Sequence, residues 1–433
     1  MRQGQTEMHL CLAGARVIDP ANGTDKCTNV YIKGTRVVRV GRAPKGFIPD
    51  QTIDLKGQIL TPGFIELGAH LREPGFEYKA TIASESKAAA SSGFTSVCCT
   101  PDTMPVIDNA SVVEHIKQRA HSARAARVLF LGALTHGLQG DVLAEMRALK
   151  DSGCVAVTNA DYAIRDTAVL RHALAYAASC GLTVFLHPID YWLNRDGRMH
   201  EGAVSTRLGI PGIPEAEEII AVNRDLTLVE ETGVRAHFCR LSSARAISLI
   251  KRARRAGLPV TADVALSNLL FIDQDVGSFD PNYHLRPPLR EGRDRTHLRT
   301  AIKKRDIDAI CGNHEPHDAD AKATPFSLSA PGVTSFDTFV PALLSLVEQG
   351  AFDLNTAIAA VSQAPNDILG LDGGALTCDS PADICVFDPS QKWTVSKESL
   401  SSAGKNTPFL NQTMSGRVTL TVIAGRIVHN TND

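Results

Sequence analysis

Between Ile59 and His314 a short apolar, β-branched run gives way to a longer segment suited to a helix, and the pattern recurs. The runs are Ile59 to Leu67, Thr95 to Thr100, Arg127 to Leu134, Cys154 to Thr158, Leu182 to His187, Arg235 to Leu241, Leu258 to Ala265 and Ile307 to Gly312. They are continuously apolar rather than alternating, which suits strands buried on both faces of a parallel sheet. Between them, Val112 to Ala125, Leu143 to Lys150, Thr167 to Ser179, Ala244 to Ala256 and Arg293 to Lys304 carry apolar residues at spacings of three and four. Gly93, Gly153, Gly181 and Gly257 stand just before four of the strands, where a helix needs its C-terminal cap. Eight such units predict an α/β chain with a TIM (β/α)8 barrel.

The ends read differently. Ala15 to Asp19, Val30 to Lys33 and Val37 to Gly41 at one end, and Ile384 to Asp388, Val418 to Ala424 and Arg426 to Val428 at the other, are short β-prone runs broken by Gly, Asn and Asp turns. Both flank the barrel pattern. We therefore expect a small β-sandwich domain from both termini, residues 1–60 and 378–433, around a barrel of residues 61–377. Pro211 to Pro214 and Asp318 to Pro325 read as loops.

Bulk properties exclude more than they suggest. Lys+Arg 45 balance Asp+Glu 47, and no long run of one sign occurs, so nothing marks a nucleic-acid or anionic-membrane surface. No uncharged apolar stretch approaches the roughly 20 residues that span a bilayer. The polar segment Met1 to Met8 lacks the apolar core of a signal peptide, so a cytoplasmic address is expected. The 10 Cys include Cys98, Cys99, Cys154, Cys239 and Cys311 in strand-like runs, without C-x-x-C pairs, and are expected to act as small buried hydrophobes.

In a barrel of this kind the chemistry sits where strands end. After the first run comes Pro62-Gly63-Phe64-Ile65-Glu66-Leu67-Gly68-Ala69-His70-Leu71-Arg72-Glu73-Pro74-Gly75. Farther on are Cys99-Thr100-Pro101-Asp102-Thr103, Leu186-His187-Pro188, His237-Phe238-Cys239-Arg240-Leu241-Ser242, Thr261-Ala262-Asp263-Val264, Pro287-Pro288-Leu289-Arg290 and His314-Glu315-Pro316-His317. With Ala382-Asp383-Ile384, these motifs in order resemble the cyclic amidohydrolases, and the dihydroorotases in particular, over nearly the whole chain.

The resemblance implies a binuclear zinc centre. Its ligands are a His-x-His pair, a bridging carboxylate or carboxylated Lys after strand four, a His after each of strands five and six, and an Asp after strand eight that is also the general base. On this chain those positions hold Gly68 and His70, Asn159 or Ala160, His187, Arg240 and Asn313. Only His70 and His187 remain. Glycine has no donor atom, Asn is a poor bridge, and Arg stays protonated. Catalytic zinc ordinarily takes three protein ligands. At about 4 Å and an effective dielectric near 20, Arg240 would repel a dication by roughly 8 kcal/mol. Asn313 could not take the proton of an attacking water, a step worth on the order of 10²–10⁴ in rate. We expect no zinc cofactor and no catalysis.

Two departures from that expectation are open to test. Glu66 shares a strand face with Gly68 and His70, so Glu66, His70 and His187 are candidates for one metal, although Glu66 lies about 6–7 Å deeper. Asp161 and Asp190 are further candidates. Alternatively the vacated site is cationic: Arg72, Arg240, Arg286 and Arg290, with His314, suit an anionic ligand, while Asp102 opposes one. Pairing of these arginines with nearby acids is the simpler expectation.

The resemblance is closest to non-catalytic dihydroorotase-like chains that accompany the aspartate carbamoyltransferase catalytic chain in some bacteria. It therefore implies a role as the assembly partner of that transferase, with a homodimer as a further form of association. An active amidohydrolase of altered metal use and an anion sensor are the competing expectations.

Overall fold

The computed structural model describes residues 8–431, so the leader expectation, which rests on Met1 to Met8, falls almost wholly outside it. Eighteen strands occur among the described residues. The terminal sheet takes β1 (His9–Asp19), β2 (Thr24–Lys33), β3 (Arg36–Gly41), β4 (Gln51–Asp54) and β5 (Ile59–Pro62). The barrel takes β6 (Phe64–Ala69), β7 (Phe94–Cys99), β8 (Arg127–Ala133), β9 (Cys154–Thr158) and β10 (Thr183–Leu186). A small excursion adds β11 (Met199–His200) and β12 (Gly212–Ile213), after which the barrel resumes with β13 (Ala236–Phe238), β14 (Val260–Ala265) and β15 (Ala309–Cys311). The chain returns to the terminal sheet with β16 (Ile384–Thr394), β17 (Thr413–Ile423) and β18 (Arg426–Asn430).

The two ends meet in one eight-stranded sheet of order β18-β17-β16-β5-β1-β2-β3, with β4 beside β1. β5 is the join: it runs parallel to β1 on one side and antiparallel to β16 on the other. This corrects the reading of Ile59 to Leu67 as a single barrel strand. Gly63 divides that run, and its N–H turns aside to donate to the Asp383 carbonyl at 2.9 Å. A Cβ at Gly63 would lie 2.2 Å from Thr95, so only glycine passes this point. The apolar pattern is unbroken because both halves are buried.

The other eight strands follow the order β15-β14-β13-β10-β9-β8-β7-β6, all parallel. Helices cross between neighbours, among them Ala110–Ala123, Thr167–Cys180, Ala244–Arg255 and Gly292–Lys303, close to their expected bounds. Gly181 caps the helix Thr167–Cys180 at φ 64, as its position suggested. Inside the barrel, Leu67, Cys98, Leu131, Ala156, Phe185 and Ala309 from six different strands pack as one layer. Filled interiors of this kind make the barrel a core rather than a channel. Pro211 to Pro214 is not wholly loop, because Gly212 and Ile213 pair with Met199 and His200.

The seam between β15 and β6 closes by other means than a ladder. His70 N–H donates to the His314 carbonyl at 2.9 Å, and Gly312 N–H donates to the Glu66 carboxylate at 2.6 Å. Glu66 also accepts from Gly68 N–H at 3.2 Å. Burial raises its carboxyl to about 8 against these donors. Glu66 is thus a seam residue, which removes it from the candidate metal set.

Seven of the cysteines are buried, as expected, and Cys239 is partly so, whereas Cys27 and Cys378 are exposed. No helix among the described residues is long and apolar enough to cross a membrane.

Candidate functional site

The barrel mouth is assembled from residues just past the strand ends. His70 follows β6, Asp102 follows β7, Asp161 follows β9, His187 follows β10, Arg240 follows β13 and Asn313 follows β15. Three of the exits carry non-glycine residues in the left-handed region: Ala160 at φ 50, Arg240 at φ 55 and Asn313 at φ 51. Such conformations cost on the order of 1–3 kcal/mol and persist only where surrounding contacts hold them.

Arg240 is the centre of those contacts. Its Nη1 donates to the Asn313 side-chain oxygen at 2.8 Å, and its Nη2 donates to Asp161 and lies 2.9 Å from His187 Nδ1. Asp161 Oδ1 is 2.8 Å from the same His187 nitrogen. One guanidinium therefore ties the ends of β9, β10, β13 and β15 together. Burial favours a neutral Asp161, but Arg240 and then His187 more than reverse this and hold its carboxyl well below the usual range. Burial and the Arg240 charge both push His187 down.

His70 is held by Asp102, whose carboxylate receives Nδ1–H at 2.7 Å. This sets the tautomer and turns Nε2 into the mouth, where it is buried without a hydrogen-bond partner. Burial lowers His70, and Asp102 and Glu315 outweigh it, so the net direction is up. Asp102 was expected to repel an anionic ligand; it serves instead to orient His70.

Several other expectations are corrected here. Asn159 does not face the mouth: its oxygen accepts from Thr135 Oγ1 at 2.8 Å, and its amide donates to the Tyr162 carbonyl at 2.8 Å. The left-handed turn at Ala160 then presents Asp161, one of the further candidates, in place of Asn159. His314 is fully buried below the mouth, stacked on Phe336 at 3.7 Å. Its Nδ1 accepts from the Ser335 N–H, and its Nε2 donates to Glu85 at 2.7 Å, so it offers nothing to a ligand.

Arg290 is likewise committed, donating to Ser242 Oγ at 2.9 Å and lying against Glu218 and Glu217 at 3.5 and 3.8 Å. Arg72 donates to Glu315 and to the Pro316 carbonyl, both at 3.0 Å. Of the four arginines, only Arg286 has no hydrogen-bond or ion-pair partner for its guanidinium among the described residues. Three of the four arginines of the cationic pocket are thus paired with carboxylates. The pocket is also small. One cavity, between His187, Glu217, Arg240 and Arg286, measures about 10 Å³, and the one beneath it about 30 Å³. Small-molecule sites ordinarily span about 300–1,000 Å³.

Glu315 and His317 also belong to the site, within the motif His314-Glu315-Pro316-His317, which by itself assigns neither a role. Burial raises Glu315, but His70, His317 and Arg72 together hold it far below the usual carboxylate range. Its proximity to His70 could not be read from spacing, since they are 245 positions apart.

Comparison with known proteins gives the family. A model of dihydroorotase-like proteins matches residues 57–246. A dihydroorotase-like protein of Pseudomonas putida is 44% identical over 422 residues, covering 98% of this chain and 99% of that one. The chain belongs to the dihydroorotase-like family. A protein named dihydroorotase from Trichlorobacter lovleyi is 38% identical over 421 residues, covering 97% of this chain and 99% of that protein. Among solved structures, the L-hydantoinase of Arthrobacter aurescens superimposes with a TM-score of 0.87 at 20% identity, over 97% of this chain and 96% of that one. It shares the fold.

The zinc pair associated with dihydroorotases does not fit this dihydroorotase-like chain. Gly68 supplies no donor, and the Arg240 cation is bonded to the Asp161, His187 and Asn313 groups that would face a metal. A different set does converge: one donor atom each from His70, Asp161 and Glu315, all within 4.8 Å of one another. Both carboxylates in that set already hold an arginine.

Proposed function

We propose that this chain is a non-catalytic dihydroorotase-like subunit that works in the cytoplasm as an assembly partner of the aspartate carbamoyltransferase catalytic chain. The observation that carries the non-catalytic part is the Arg240 guanidinium bonded across the mouth to Asp161 and Asn313. It places a fixed cation where the hydrolytic chemistry of the family needs a metal and a general base, and the cavity beside it measures about 10 Å³. The partner is suggested by the resemblance of the degraded barrel to transferase-associated chains. A role in assembly needs an intact scaffold and does not need an open mouth.

Two measurements test the proposal. The purified chain, supplied with zinc, is assayed for dihydroorotate ring opening and closure, with none expected. It is then mixed with the transferase chain and run on a sizing column, with a shared peak expected. Turnover would overturn the first half, and separate peaks the second. A second reading, a hydrolase with a single metal, is favoured by the unpartnered His70 Nε2 facing Asp161 and Glu315. It predicts turnover that His70→Ala abolishes.

A further inference from the structure

Beneath Arg240 the barrel interior departs from the branched aliphatic filling usual in this fold. His237 on β13, Cys239 just past it and Asp263 on β14 each present a donor atom within 4.8 Å of the others. Cys311, at the end of β15, adds its Sγ at 3.6 Å from Asp263 Oδ1. Cys239, Asp263 and Cys311 all line the same 30 Å³ cavity, which is large enough for a single ion or water. We infer that this cluster is a closed site for one borderline or soft divalent cation, of the zinc, cobalt or cadmium class, held by Cys239, Cys311, Asp263 and His237.

The donor set matches that class. Thiolate and imidazole with one carboxylate select zinc-like ions over magnesium or calcium, which prefer oxygen alone. With zinc–sulfur near 2.3 Å and zinc–oxygen near 2.1 Å, a tetrahedral angle separates S and O by about 3.6 Å. The Cys311–Asp263 spacing is already that length. Without a cation the same spacing is a thiol donating to a carboxylate.

The surroundings orient the donors. Thr261 Oγ1 is 2.9 Å from His237 Nδ1, and His237 Nε2 lies 3.0 Å from Asp263 Oδ2, a hydrogen bond that a cation seated between the two would replace. Arg240 N–H donates to Asp263 Oδ1. Binding would release the two thiol protons to solvent. Two thiolates, one carboxylate and a dication then sum to one negative charge, beside Arg240, which lines the same cavity. Four protein donors leave no open position, so the cation would be structural, joining β13, β14 and β15. It is a separate site from the His70 set at the mouth, and it does not depend on the proposed assembly role.

The test is cobalt. The full chain, carrying Cys27→Ser and Cys378→Ser to remove the exposed thiols, is produced in cobalt-supplemented medium. We expect about one cobalt per chain with a near-ultraviolet thiolate-to-cobalt charge-transfer band. The band should vanish in Cys239→Ser and in Cys311→Ser and persist in His70→Ala. No bound cobalt, or a band indifferent to both serine variants, would overturn the inference. So would cobalt bound without the band and lost in His70→Ala, because that places the ion at the mouth and supports the single-metal hydrolase instead. If a serine variant fails to fold, cadmium loaded into the parent chain must produce the corresponding thiolate absorption, and its absence counts against the site.

Discussion

Arg240 Nη1 donates to the Asn313 side-chain oxygen at 2.8 Å, linking the exits of β13 and β15 through the two positions where a metal-binding His and a general base would stand. The same guanidinium neutralises Asp161 in a setting only 15% exposed. Breaking a buried pair strands the remaining charge. Arg240→Met should therefore lower unfolding free energy by about 3–5 kcal/mol in urea titrations. Arg240→Met with Asp161→Leu should recover most of that loss. Equal losses in the single and double variants would refute the coupling.

Glu66 gives a pH signature. Its folded value of about 8 lies above that of an unfolded Glu, so the native state holds a proton that the unfolded chain releases. Stability from this group falls as pH rises from the ordinary carboxylate range to about 8. Glu66→Gln is neutral throughout and loses part of the contact to Gly312 and Gly68. The deficit of Glu66→Gln relative to the parent should shrink between pH 5 and pH 9 on the order of a few kcal/mol. Urea unfolding at both pH values checks this, and a constant deficit would disprove it.

Glu85 should behave in the opposite sense. Burial raises its carboxyl, but His314, Ser402 and Ala403 together leave it below its usual value. Its stabilisation is present above the unfolded pKa and lost as pH falls through the folded one. Glu85→Gln should cost about 1.5–3 kcal/mol at pH 7, the range for hydrogen bonds to a charged group. The gap to the parent should close in acid. A cost unchanged well below pH 4 would contradict the assignment.

Ligand binding at the mouth should be undetectable. A ligand at about 100 times its Kd adds roughly 2.7 kcal/mol and raises Tm. Millimolar dihydroorotate, carbamoyl aspartate and phosphate should leave Tm where it is, because the space near Arg286 is about 10 Å³. A shift with any of them that disappears in Arg286→Ala would restore the anion-sensor reading.

Periodicity carried most of the barrel, because strands buried on both faces announce themselves as unbroken apolar runs. It failed at Gly63, where burial continues across a change of sheet and leaves no mark in hydropathy. At the mouth, the losses at Gly68, Arg240 and Asn313 were legible from motif position. What replaced them was not, since Asp161 reaches the centre only through the left-handed turn at Ala160. The pairing of Arg72 with Glu315, and of His314 with Glu85, depends on contacts across 243 and 229 positions. No local pattern encodes those.

Gly68 leaves a last consequence. A Cβ built there would meet nothing nearer than Thr100 Cγ2 at 3.9 Å, so a larger residue can begin to grow into the mouth at that position. Arg240, by contrast, is fastened to three strand exits beyond its own. Under the proposed non-catalytic role, engineering hydrolysis into this mouth would be obstructed by charge before it is obstructed by space. The order of steps follows: the arginine must be replaced first, at a cost in stability, before a histidine introduced at position 68 has anything to bind.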